Sequence, residues 1–179
     1  MSEFAALQAV RLKGRADAEV IATSTGAAVP PELLDRLVAD GLLKGGPAYR
    51  ITAEGRERLA ELVAAERATV EQAELEAAYE AFHAANDLLK EVVTAWQMIA
   101  PDTPNDHSDS GYDATVVGRL LEDVDPALRP VLSRFVAAAP RLACYPPRFD
   151  HAVAKLREGD TSWLAKPISD SYHTVWFEL

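Results

Sequence analysis

The sequence predicts a mainly α-helical protein with one small β-hairpin near the N-terminus. The chain is rich in alanine, leucine, glutamate and arginine and only 7% of residues are aromatic, which favours helices over sheets. Apolar residues recur at helical spacing along most of the chain. One short stretch, residues 42–51, instead combines strand-like alternation with a glycine-rich turn. We expect an N-terminal domain over residues 1–67 and an acidic helical bundle over residues 68–179.

Three helices are predicted before the hairpin. The first carries Phe4, Leu7 and Val10 on one face and ends at Gly14. The second covers about residues 16–25. The third starts at two consecutive prolines, which are tolerated in the first turn of a helix, and covers residues 30–41.

The hairpin is predicted from its turn and from the alternation on either side of it. Leu42 and Leu43 lead into the turn Lys44-Gly45-Gly46-Pro47, and Tyr49-Arg50-Ile51 alternates as a strand does. Thr52 then has the side chain expected of an N-cap, so a further helix should begin there.

Residues 40–59 resemble the wing of MarR-like and related winged-helix regulators. In that family a Gly-Leu pair ends the recognition helix, a short hairpin follows, and a Leu/Ile-Thr-x-x-Gly motif opens the next helix. The matching residues here are Gly41-Leu42 and Ile51-Thr52-Ala53-Glu54-Gly55. The resemblance implies a winged helix-turn-helix domain over residues 1–67, transcription regulation by binding double-stranded DNA, and a homodimer.

The rest of the chain is predicted to be helical. The helical pattern that follows Thr52 should break near residues 67–71, with Thr69 capping the new start. The predicted elements are a long helix at about 70–99, a loop at 100–111, and helices at about 112–123, 126–139, 148–158 and 169–178.

Charge separates the two domains. Residues 1–69 carry nine basic and ten acidic side chains, whereas residues 70–179 carry nine basic and 18 acidic ones. DNA binding usually needs a basic face, so the acidic C-terminal part is a poor candidate for contacting DNA. The single cysteine, Cys144, excludes an intramolecular disulfide, and no apolar run is long enough for a membrane span. We therefore expect a cytoplasmic protein that does not contact membranes.

The predicted DNA-reading helix is poor in side chains that read bases. Its polar residues are Glu32, Asp35, Arg36 and Asp40, of which only Arg36 suits guanine. Basic residues of the hairpin and of the first helix would hold phosphates. The predicted DNA-binding residues are Arg11, Lys13, Arg15, Arg36, Lys44 and Arg50. The alternative is a domain that serves as a scaffold or protein contact, with these cations on a solvated face.

Two segments of the C-terminal part carry residue types that bind ligands. Asp and His lie together in residues 105–109, although such a loop can also be a plain surface turn. His173 and Trp176 share a helix face, although the tryptophans can equally fill the core. The predicted ligand-binding residues are Trp96, Asn105, Asp106, His107, Tyr112, Tyr172, His173 and Trp176.

Enzymatic activity is not indicated by the motifs. The sequence has no glycine-rich phosphate loop, Ser-His-Asp motif, HExxH or CxxC, so we expect no catalytic residue, cofactor or metal. An enzyme built on His107 and His173 would require both imidazoles within about 5 Å of a common point.

A second resemblance concerns the whole chain. The residues Asn105-Asp106-His107 and the segment 169–176 are similar to helical accessory regions of actinobacterial proteins. Such regions occur alone or behind phosphoenolpyruvate-utilising, pyruvate-phosphate-dikinase-like domains. This resemblance implies an accessory or docking role without catalytic residues. The two hypotheses of function are a DNA-binding regulator whose helical domain senses a ligand or partner, and an accessory protein-interaction module.

Overall fold

A computed structural model describes residues 1–179 and shows a mainly helical protein with two small two-stranded antiparallel sheets. The chain forms two compact units, Met1–Val70 and Glu71–Leu179, called here the N-terminal and C-terminal units. No helix combines the length and the apolar character that a membrane crossing requires.

The N-terminal unit has the elements that its caps and glycines predict. They are α1 (Glu3–Lys13), α2 (Ala18–Thr25), α3 (Pro31–Ala39), β1 (Leu43–Lys44), β2 (Arg50–Ile51) and α4 (Ala53–Arg67). The N-cap side chains of α1 and α2 accept backbone N–H groups of the first turn, at 3.2 Å for Ser2 and 2.9 Å for Asp17. Both helices end at a glycine with positive φ, which satisfies the backbone conformation of a helix end without a Cβ clash.

Two helices in this unit differ in their boundaries from the prediction. The third is predicted over residues 30–41 but runs from Pro31 to Ala39, with Pro30 and Asp40 as its caps. The second helix is predicted to include Ala16, but Ala16 forms an isolated antiparallel bridge with Tyr49, and the helix begins at Ala18. The two residues exchange both backbone hydrogen bonds, at 2.8 and 3.1 Å. Ala16 thus pairs with the residue that precedes β2, and these two backbone hydrogen bonds keep it out of α2, which Asp17 caps.

Gly55 and Thr52 fix α4 against the first hairpin, β1–β2. Thr52 Oγ1 accepts the Gly55 N–H at 2.9 Å and donates to the Gly41 or Leu42 carbonyl, at 2.7 and 3.0 Å. A Cβ on Gly55 would lie 2.1 Å from the Leu42 carbonyl oxygen, so only glycine permits this approach. The core between these elements contains Leu7, Val10, Ile21, Leu34, Leu37, Leu43 and Leu59.

The C-terminal unit is built on one long helix. Its elements are α5 (Gln72–Gln97), β3 (Met98–Ala100), β4 (Thr103–Pro104), α6 (Ser110–Arg119), a π-helical segment (Leu120–Val124), α7 (Asp125–Ala138), a 3-10 turn (Pro140–Cys144), α8 (Tyr145–Arg157), a 3-10 turn (Thr161–Leu164) and α9 (Tyr172–Glu178). Its core includes Leu89, Val92, Leu120, Leu128, Leu132, Phe149, Tyr172 and Val175.

Several boundaries of this unit depart from the expected ones. The predicted loop 100–111 contains part of a second hairpin, β3–β4, and α6 joins α7 through the π-helical segment without a gap. Helix α9 begins at Tyr172 because Ser171 is its N-cap. The predicted break after α4 is present, but Thr69 does not cap α5, since its hydroxyl donates back to the Glu66 carbonyl at 2.7 Å.

A buried arginine ties α8 to the C-terminal segment. Arg148 is 6% exposed and donates to both carboxylate oxygens of Asp170, at 2.8 and 2.9 Å, and to Glu178. Burial alone would lower the pKa of Arg148, but the hydrogen bonds and charges of Asp170 and Glu178 outweigh it and raise that pKa. The guanidinium therefore remains charged in the interior, held by two carboxylates.

Candidate functional site

Three cations of the N-terminal unit lie side by side across its short strands. Lys44 is the cross-strand partner of Arg50 in the first hairpin. Arg15 precedes Ala16, and the antiparallel bridge from Ala16 to Tyr49 brings Arg15 opposite Arg50. Residues opposite one another in a ladder share a face, and all three side chains are exposed. We call Arg15, Lys44 and Arg50 the basic row.

The row differs from other cations of the same unit. Arg58 pairs with Glu3 at 2.8 Å and with Glu61 at 3.0 Å, whereas no member of the row forms an ion pair. Two further predicted DNA contacts, Arg11 and Lys13, lie in the last turn of α1, with Lys13 half-buried. The structure thus brings together three of the six predicted residues, and only these three form a row.

The exposed side of α3 is acidic. Leu33, Leu34 and Leu37 are buried in the core, which fixes the opposite side of the helix toward solvent. The charged residues exposed there are Glu32, Asp35, Arg36 and, at the C-cap, Asp40. Arg36, the sixth predicted DNA contact, therefore stands among three carboxylates.

In the C-terminal unit, three predicted ligand residues meet around a buried carboxylate, and a fourth, Tyr112, precedes that residue on α6. Asp113 is 4% exposed and accepts a hydrogen bond from Asn105 Nδ2 at 2.9 Å. Its Oδ2 lies 3.1 Å from His107 Nδ1. The His107 ring lies against Trp96, with ring centroids 4.4 Å apart. The Tyr112 hydroxyl donates to the Ala95 carbonyl at 3.0 Å and so fixes α6 against the end of α5.

The hydrogen-bond partners of Asn105 determine where the His107 proton lies. Asn105 Oδ1 accepts the His107 backbone N–H at 3.0 Å, so the amide orientation is set. Both Nδ2 hydrogens are then used, one by the Trp96 carbonyl at 3.0 Å and one by Asp113. Asn105 has no hydrogen left for His107 Nδ1, although the two nitrogens are 3.3 Å apart. His107 Nδ1 must therefore be the donor to Asp113, which leaves Nε2 as the proton acceptor of the neutral ring.

The His107 backbone is also unusual. Its φ is +59°, a left-handed conformation that few residues other than glycine adopt. The His107 side chain remains 43% exposed, and Nε2 has no hydrogen-bond partner in the protein. The site therefore presents one acceptor nitrogen to solvent, held in place by a buried carboxylate and an aromatic ring.

We expect nitrogen-detected NMR to find neutral His107 as the Nδ1–H tautomer, because Asp113 accepts that proton. In Asp113→Leu the acceptor is gone, and the ring should shift toward the Nε2–H form, which predominates in free imidazole side chains. His83, which is exposed on α5, serves as the internal reference in the same spectra. An Nε2–H ring in the wild-type protein would contradict this assignment.

The other four predicted ligand residues lie elsewhere. Asp106 is exposed, and hydrogen bonds from Ser108 hold the pKa of Asp106 below its usual range. Tyr172 and Trp176 pack in the core, and Trp176 Nε1 donates to Asn86 at 3.1 Å. Since Asn86 precedes Trp96 by ten residues on α5, the two groups lie about 15 Å apart along that helix. The eight residues do not form one pocket.

The two histidines of the enzymatic alternative have separate surroundings. His173 is half-buried beside Phe177, and burial lowers the pKa of His173. His107 packs on Trp96 instead. No cluster of three or more histidine, cysteine or acidic side chains could hold a metal ion.

Two features of these sites are not predicted from the sequence. Asp113 falls in the first turn of α6, where an acid is ordinary, so nothing in its spacing marks it as the partner of His107. The other is a groove of about 300 Å³ between α5 and α7, lined mainly by small apolar residues with Arg134 among them. Three of its alanines, at 81, 84 and 85, follow helical spacing, and this spacing is the feature of the sequence that could have indicated the groove.

The chain matches no protein-family model, no curated protein and no solved structure.

Proposed function

We propose that the protein is a DNA-binding regulator whose N-terminal unit is a winged helix-turn-helix domain with the first hairpin as its wing. The observation that carries this proposal is the basic row, in which Arg15, Lys44 and Arg50 stand in register without counterions. The order α1, α2, α3, β1, β2, α4 agrees with what the resemblance to MarR-like regulators implies.

Like charges directly opposite on neighbouring strands destabilise a sheet unless an anion lies between them. The hairpin places Lys44 opposite Arg50, and Arg15 lies on the other side of Arg50. A nucleic acid backbone supplies regularly spaced negative charge that would relieve this repulsion and release counterions. The row is thus better suited to a polyanion than to a single carboxylate.

The C-terminal unit would serve as the sensing part of the regulator. Its net charge is −9 from nine basic and 18 acidic side chains, which disfavours contact with DNA. The exposed Nε2 of His107 is a ready acceptor for a hydroxyl or N–H group of an effector. The proposed ligand residues are accordingly Trp96, Asn105, His107 and Tyr112, together with Asp113.

The proposal is tested by fluorescence anisotropy of a labelled duplex DNA with the full-length chain at low salt. We expect salt-sensitive binding that weakens about tenfold or more in the double variant Lys44→Ala, Arg50→Ala. The matched control is Lys90→Ala, Arg157→Ala, which also removes one lysine and one arginine, but from exposed positions of the C-terminal unit. Equal weakening in both variants, or no salt-sensitive binding by the wild-type chain, would count against the proposal.

A second candidate function is protein binding through α3. The observation that favours it is the acidic surface formed by Glu32, Asp35 and Asp40, which would suit a basic protein segment. In this case the N-terminal unit is an accessory interaction domain, in keeping with the resemblance to accessory regions of phosphoenolpyruvate-utilising proteins. Charge-reversing substitutions on α3 would then abolish the activity of the protein in cells. The double variant Lys44→Ala, Arg50→Ala would leave that activity intact.

A further inference from the structure

We infer that the basic row, and not the exposed side of α3, makes the nucleic-acid contact, so that the protein binds backbone phosphates with little dependence on base sequence. This inference rests on the proposed DNA-binding function. It concerns which element contacts DNA. A helix that reads base edges makes the affinity depend on base sequence, whereas a hairpin that binds phosphates does not.

The charges of α3 oppose its entry into a DNA groove. Glu32 and Asp40 lie four residues on either side of Arg36, so both carboxylates neighbour the only base-reading cation on that helix face. Asp35 adds a third carboxylate to the exposed side. Insertion would bring three carboxylates close to phosphates and desolvate them, with one guanidinium to compensate.

Helix α3 cannot rotate about its axis to turn its acidic side away from bound DNA. Leu33, Leu34 and Leu37 are each 5% exposed or less, and they anchor α3 in the core of the unit. At the C-terminal end of α3, Val38 lies against the hairpin turn: a Cβ on Gly45 would be 3.5 Å from a Val38 methyl group. The orientation of α3 relative to the hairpin is therefore fixed by packing.

The basic row has the dimensions of a phosphate contact. Neighbouring strands are about 4.8 Å apart, so three residues opposite one another span about 10 Å. Duplex DNA carries one phosphate per about 3.4 Å of axis on each strand, so a row of this length can reach two or three phosphates. The turn beyond Lys44 is made of glycine, proline and alanine, and Tyr49, which carries the one polar side chain between β1 and β2, is half-buried against the core of the unit. The turn itself therefore has no polar side chain to read a base edge.

The inference is tested with two labelled duplexes of equal length and composition but different sequence, each titrated with the full-length chain. We expect affinities for the two duplexes to agree within about threefold, because phosphates carry no sequence information. Arg36→Ala should keep the affinity within about threefold for both duplexes. Arg15→Ala should weaken binding to the two duplexes by the same factor. The double variant Lys44→Ala, Arg50→Ala should also weaken binding to both duplexes equally, by about tenfold or more.

A variant that gains function makes the test independent of folding defects. Glu32→Ala, Asp35→Ala removes two exposed carboxylates and should tighten binding to both duplexes by a similar factor, because alanine lowers the repulsion and has no group that hydrogen-bonds to a base edge. If Arg36→Ala loses DNA binding while its circular dichroism spectrum is unchanged, the inference is overturned, but the proposed DNA-binding function of the protein still stands. Absence of binding by the wild-type chain to either duplex would overturn the proposed function and the inference together.

Discussion

Replacing Arg148 with methionine is expected to lower the free energy of unfolding of the C-terminal unit by about 3–5 kcal/mol, because removing one partner of a buried ion pair leaves the other charges uncompensated. Arg148 is 6% exposed and donates two hydrogen bonds to Asp170 and one to Glu178. Methionine fills much of the same volume but donates none of these bonds. Both carboxylates would then have to find other cations or take up protons.

Urea unfolding followed by tryptophan fluorescence measures this loss, because Trp96, Trp163 and Trp176 all lie in the C-terminal unit. The matched control is Arg157→Met on the same helix, where the side chain is exposed and the expected change is below about 0.5 kcal/mol. A small change in Arg148→Met would show that the buried ion cluster contributes little to holding the C-terminal segment.

Replacing Gly55 with alanine is expected to destabilise the N-terminal unit by about 3 kcal/mol, at the upper end of the cost of overpacking. The new Cβ would lie 2.1 Å from the Leu42 carbonyl oxygen and 2.9 Å from the Ile51 side chain. The carbonyl is backbone and accepts the Thr52 N–H at 3.1 Å, so it cannot move without breaking that bond. Helix α4 must then shift away from the first hairpin, where the basic row lies.

Gly118→Ala is the matched control, because Gly118 is also helical but a Cβ added there would have no neighbouring atom within 4 Å. Alanine at this position should stabilise the protein by about 0.5–1 kcal/mol through helix propensity. The N-terminal unit contains no tryptophan, so its unfolding is followed by far-ultraviolet circular dichroism while fluorescence reports the other unit. If Gly55→Ala is as stable as Gly118→Ala, the close approach of α4 to the hairpin is not required.

Local chemistry makes the N-terminal elements predictable. Glycines at 14 and 26 end two helices, Pro30 and Pro31 mark the start of α3, and Thr52 caps α4, and each of these signals acts within a few residues. The role of Gly55 follows from the motif that it closes, although its contact with Leu42 is visible only in the fold.

Long-range pairing could not be predicted from the sequence. The bridge from Ala16 to Tyr49 joins residues 33 positions apart and turns three scattered cations into one row. Asp113 likewise reaches His107 only because the second hairpin and the start of α6 bring them together. Residue type and helical spacing suggest Trp176 as a pocket residue, but burial against Phe82 and Phe149 makes it part of the core.

The salt dependence of DNA binding by the full-length chain tests the central claim most directly. Three phosphate contacts from the basic row predict a slope of about −2.7 for the logarithm of the binding constant against the logarithm of salt concentration. In the double variant Lys44→Ala, Arg50→Ala the slope should fall to about −0.9, since one contact remains. A slope near zero in the wild-type chain, or an unchanged slope in the double variant, would contradict DNA binding through the row.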